Sequence, residues 1–123
     1  MDATAFQKLL VSRFPTLRSN LEEWKDLDHL QVMEFLTLTQ SAIEAGSFDT
    51  VSECFEVATA ALRDGDKALR NAIFVSYLEE LDFRSDAGRR AAELMPQKLR
   101  EARHAVLDYD ERLLGRKWPT DER

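Results

Sequence analysis

The chain has 123 residues, 44% hydrophobic and 33% charged, with a formal net charge of −6 and a single cysteine. That length suits one domain with a core of its own, and one cysteine excludes an internal disulfide. The acidic balance disfavours general nucleic-acid binding, which needs a concentrated basic face to neutralise phosphates.

A first helix is predicted over residues 3–13, burying Phe6, Leu9 and Leu10 and ending at Phe14-Pro15. Pro15 suits the first position of a short second helix carrying Leu17, Leu21 and Trp24. After the polar linker Lys25 to Asp28, residues 29–45 present Leu30, Val32, Met33, Phe35, Leu36, Leu38 and Ile43. These cover more than half the helix circumference, so substantial burial is expected, within one chain or across a homodimer interface.

Ala45-Gly46-Ser47 then pairs a stop signal with a start signal, Ser47 being a good capping residue. Residues 47–63 form the cleanest amphipathic helix. Phe48, Val51, Cys54, Phe55, Ala58, Ala61 and Leu62 share one side, while Asp49, Glu53, Glu56 and Arg63 occupy the other. Cys54 on the apolar side reads as a small core hydrophobe.

A second turn, Arg63-Asp64-Gly65-Asp66, introduces residues 66–82, where Leu69, Ala72, Ile73, Phe74, Val75, Tyr77, Leu78 and Leu81 reach nearly all round. This is expected to be the central helix, with Asn71, Ser76, Glu79 and Glu80 its costly polar members if buried. Residues 84–95 give a short helix interrupted near Pro96, and residues 97–114 a long one with the stripe Met95, Leu99, Ala102, Val106, Tyr109 and Leu113. All four glycines, Gly46, Gly65, Gly88 and Gly115, fall where a helix would end, and strand signals are nearly absent. The chain therefore reads as all-α, an antiparallel helical bundle or short helical-hairpin stack of five to six helices. A single domain over residues 1–115 is expected, with a C-terminal tail at 116–123.

Charge is uneven along this plan. Residues 1–83 carry 7 basic and 15 acidic side chains, net −8, and residues 84–123 carry 10 basic and 8 acidic, net +2. The run Arg84, Arg89, Arg90, Lys98, Arg100 and Arg103 reads as a solvated helix surface. Asp2, Lys8 and Arg13 flank only a brief apolar stretch, so neither a signal peptide nor a membrane span is expected, and a cytoplasmic location follows.

Few parts for catalysis are present. Glu101-Ala102-Arg103-His104 has the Glu-x-x-His spacing of di-iron bundles, and Asp26 to His29 is a degenerate second copy. Glu101 and His104 point away from the apolar stripe and His29 precedes its helix, so no metal or cofactor is expected; a surface pair of His104 with Asp108 is. Glu79 and Glu80 diverge by about 100° and do not face each other.

The segment Asn71-Ala72-Ile73-Phe74-Val75-Ser76-Tyr77-Leu78-Glu79-Glu80-Leu81, following Gly65-Asp66, resembles the core helix of a family of small, uncharacterised, all-helical bacterial proteins. The similarity extends to Phe14-Pro15, Leu17 and the Trp24 region. It implies a helical fold, and some members look like immunity or adaptor proteins that neutralise a partner.

Two functions stay open. One is a non-enzymatic module binding a basic protein partner through the acidic face Asp49, Glu53 and Glu56. The other is a small-molecule or metal-dependent enzyme with a site between helices, built from Glu101, His104 and Asp108 or from Asn71, Ser76 and Glu80.

Overall fold

The computed structural model describes residues 1–23 and 27–114, and these form seven α-helices with no strand among them. The expected all-α class holds. The helix count exceeds five to six because both short pieces stand as helices of their own.

Helix α1 (Ala3–Arg13) starts at Asp2, whose carboxylate accepts from the Ala5 N–H at 2.8 Å. A single 3₁₀ turn, Pro15–Leu17, leads into α2 (Arg18–Glu22). Leu17 and Leu21 are buried as expected, and Trp24 lies outside the described residues. Helix α3 (Asp28–Ala45) begins one residue early, so His29 sits in its first turn rather than before it.

The two glycine turns solve different problems. Gly46 has φ 70°, the left-handed conformation that closes α3, with the Ser47 N–H bonded to the Ala42 carbonyl at 2.9 Å. Ser47 does not cap α4 (Phe48–Asp64) through its hydroxyl, contrary to expectation; its φ −83°, ψ 71° lie off the extended geometry such caps use. Gly65 has an ordinary φ of −69°. Glycine is needed there for space, because a β-carbon would stand 2.2 Å from the Ala61 carbonyl oxygen. Asp66 then caps α5 (Lys67–Ile73), accepting from the Leu69 N–H at 2.8 Å.

The predicted helix over residues 66–82 is regular only as far as Ile73. Phe74–Leu78 widen into a π turn, in which the Glu79 N–H reaches back to the Phe74 carbonyl at 3.2 Å. The chain runs irregularly through Leu81–Arg84 before Ser85 caps α6 (Asp86–Glu93), its hydroxyl accepting from the Gly88 N–H at 2.9 Å. Gly88 thus stands at a helix start, not an end. After the break at Met95-Pro96, α7 (Gln97–Leu114) completes the described fold.

Phe35, midway along α3, is fully buried and organises the core. Its ring stacks on Tyr77 at 4.6 Å between centroids and meets Phe6 edge-on at 6.0 Å, with Phe14 at 6.4 Å. Helix α3 touches α1, α2, α4, α5, the π turn and α6, so it shares the central place expected of residues 66–82 alone. Of its apolar residues, Val32, Phe35 and Ile43 are buried while Met33 is exposed; Gln31 and Thr39 are buried instead.

Helix α7 departs most from its predicted stripe. Leu99, Arg103, Leu107 and Asp110 are buried, Ala102 and Val106 are half-buried, and Tyr109 is 57% exposed. Residues 99, 103, 107 and 110 lie on one face at about 100° per residue. The face is turned toward Arg103 because that side chain finds bonding partners inside the protein. Arg103 is 6% exposed, so it leaves the solvated basic run to which the sequence assigned it.

Candidate functional site

Asp49, Glu53 and Glu56 all project from the outer side of α4 and are exposed, while Val51, Cys54, Phe55, Ala58 and Ala61 on its other side are buried. The amphipathic pattern of α4 is what aims them outward. The structure adds a residue that the pattern does not reveal, Arg13 at the end of α1. Its guanidinium donates to Glu56 at 2.7 Å and lies 3.6 Å from Glu53. Bonding to Glu56 raises the Arg13 pKa above its ordinary value, with Glu53 adding to it. Three carboxylates against one guanidinium leave the patch acidic.

The polar residues of the π-turn region are not gathered into one enclosed pocket. Asn71 and Glu80 are exposed, and Ser76 is half-buried with its hydroxyl 2.7 Å from His29 Nδ1 across the α3 seam. Further along that seam Gln40 brackets the backbone of Asp82. Its Nε2 donates to the Asp82 carbonyl and its Oε1 accepts the Asp82 N–H, both at 3.0 Å. The Asp82 carboxylate accepts from the Arg84 backbone N–H at 3.0 Å and from its guanidinium at 2.9 Å and 3.0 Å. These bonds hold the Asp82 pKa down to about 2, the Arg84 side chain being the main cause. Beside them lies an open groove of about 340 Å³ formed by Leu36, Thr37, Gln40, Glu44, Glu80 and Asp82.

Two interior polar clusters are structural. The Tyr77 and Thr39 hydroxyls are 2.9 Å apart, and Thr39 also donates to the Phe35 carbonyl at 2.9 Å. Burial holds the Tyr77 phenol well above its usual pKa and pushes the neighbouring Cys54 thiol up to about 11. Cys54 is therefore a protonated core residue, poorly suited to nucleophilic work. The second cluster is Arg103, which donates to the carbonyls of Leu78 and Leu81, each at 3.2 Å, and lies 4.8 Å over the Phe83 ring.

The Glu-x-x-His candidate stays on the surface. Glu101 and His104 are exposed, Glu101 accepts from Gln97 at 2.9 Å, and Asp26 lies outside the described residues. Asp108 forms an ion pair with Arg112 at 2.7 Å. Among the described residues no group of three or more His, Cys, Asp or Glu side chains could hold a metal ion, and no helix is long and apolar enough to cross a membrane.

Residues 8–111 match the family described as Domain of unknown function (DUF7674). The chain belongs to this family. That span takes in every helix of the DUF7674 chain from α2 to α6, most of α1 and α7, and the whole acidic face of α4. No curated protein and no solved structure matches the chain.

Proposed function

We propose that the protein is a non-catalytic, protein-binding module that engages a basic partner through Asp49, Glu53 and Glu56, in an immunity-type or adaptor role. The observation that carries this reading is the exposure of all three carboxylates on one helix whose opposite face is locked in the core. A rigid acidic surface raises the encounter rate with a basic partner and loses little conformational entropy on binding. Arg13 supports the reading in a second way, since it already holds Glu53 and Glu56 in place before any partner arrives.

The test is capture of partners from native lysate by wild type and by the triple variant Asp49→Asn, Glu53→Gln, Glu56→Gln. Exposed ion pairs of this kind stabilise by only about 0–1 kcal/mol, so the variant should remain folded. A basic protein retained by wild type, released by raised salt and lost from the variant is the expected result. Undiminished capture by the variant would show that another face binds.

A further inference from the structure

A second surface of the molecule has the opposite charge. Helices α1 and α2 flank an open groove of about 730 Å³, a volume within the range of small-molecule sites. Thr4, Lys8 and Ser12 follow one another at four-residue intervals along α1, and Arg18 and Glu22 do so on α2, so each set lines one wall. Gln7 Nε2 donates to the Leu21 carbonyl at 3.2 Å and ties the two walls together.

The cations of this groove are uncommitted. Arg13, Arg63, Arg84, Arg89 and Arg112 are ion-paired, and Arg100 bonds helix-end carbonyls. Lys8 and Arg18, like Lys67, Arg70, Arg90 and Lys98, have no side-chain hydrogen bond or ion pair among the described residues; what sets the first two apart is that they share one groove with a single carboxylate, Glu22. Elsewhere the balance is reversed: Arg90 shares its groove with Glu44 and Asp86, and the groove beside Gln40 holds Glu44, Glu80 and Asp82 with no cation. A net-positive groove on a chain of charge −6 is not what the overall composition would place there.

We propose that the α1/α2 groove binds a phosphate-bearing small molecule, its phosphate held between Lys8 and Arg18. The planar guanidinium of Arg18 can take two phosphate oxygens at once, and the Lys8 ammonium supplies a point charge. Thr4 and Ser12 offer hydroxyl donors on the Lys8 wall, and half-buried Val11 gives an apolar contact for the organic part of the ligand. Glu22 opposes the anion and favours a ligand that also carries a donor. The acidic remainder of the surface repels anions only weakly at this range, because salt screens exposed charges beyond about 8 Å at physiological ionic strength.

The experiment is amide NMR titration of the full chain at physiological salt with AMP, inorganic pyrophosphate, adenosine and citrate as separate probes. Saturable shifts confined to α1 and α2 with AMP and pyrophosphate are expected, with none from adenosine. Lys8→Ala and Arg18→Ala should each weaken AMP about tenfold, whereas Lys67→Ala, removing an exposed cation elsewhere, should not. Because Lys8 and Arg18 are exposed, their loss should leave the fold intact, which the unperturbed spectrum of each variant verifies. Linear, non-saturating shifts, binding that survives Lys8→Ala/Arg18→Ala, or adenosine binding as well as AMP would overturn the proposal. Citrate binding as tightly as pyrophosphate would overturn its choice of phosphate.

Discussion

Two parts of the interior are held together by different physics. Around Phe35, helices α1 and α3 and the π turn meet through the rings of Phe6, Phe14, Phe35 and Tyr77, with a hydroxyl pair at one edge. From the π turn to α7, side chains bond to backbone instead: Gln40 to Asp82 and Arg103 to Leu78 and Leu81 within the protein, with Arg89 to Arg84 and Arg100 to Ala92 at its surface. Phe6 and Phe35 stand on the regular helices α1 and α3, whose backbone is already satisfied, so area removed from water does most of the stabilising there. The second region contains irregular chain, and buried irregular chain needs partners for its carbonyls and amides. The Arg103 guanidinium, with its several donors, supplies them for Leu78 and Leu81, and the Gln40 amide does so for Asp82.

The aromatic region should show the largest single effect. Phe35→Ala removes the ring that three others contact and should cost about 3–5 kcal/mol, read as a lowered urea midpoint. Arg103→Met keeps the stem but strips the donors from Leu78 and Leu81, for about 1–3 kcal/mol. Hydrogen exchange separates the two mechanisms. Arg103→Met should speed exchange around residues 79–84 more than in the middle of α3, whereas equal acceleration in both would show that the two regions are one cooperative unit.

Tyr77→Phe probes the boundary between them. It leaves the stack on Phe35 and removes only the hydroxyl beside Thr39, so about 1 kcal/mol should be lost with an unchanged denaturant slope. A double cycle with Thr39→Val should show non-additivity, since the two hydroxyls are mutual partners.

The aromatic region was legible in the sequence, and the second region was not. Phe6, Leu10, Phe35, Val51, Phe55, Ala58 and Ile73 sit at helical spacing, and all are buried. Periodicity assigns burial to apolar residues, so it placed Tyr109 inside and Arg103 outside, and both assignments are reversed in the structure. What decides Arg103 is a pair of carbonyls 22 and 25 residues away, freed by a π turn that no local pattern announces. The candidate site divides likewise: the outward carboxylates of α4 follow from spacing, while Arg13, which comes from another helix 43 residues away, does not.

The smallest expected effect tests whether the bonds around Asp82 depend on its charge. Asp82→Asn keeps an acceptor for the Arg84 N–H and leaves the Gln40 bracket on the backbone, so only the charge-assisted contact to the Arg84 guanidinium is lost. Because the folded-state pKa lies below the unfolded value near 3.9, the carboxylate contributes stability above that value and loses it as pH falls toward about 2. Its side chain and that of Arg84 are 45% and 61% exposed, so solvent should limit the effect to about 1 kcal/mol or less. The gap in urea midpoint between wild type and Asp82→Asn should be constant near neutral pH and close between those two pKa values. A gap that persists undiminished at the acid end would show that the variant loses something other than this charge, whereas no gap at neutral pH would leave the stabilisation to the backbone bracket, which both chains share.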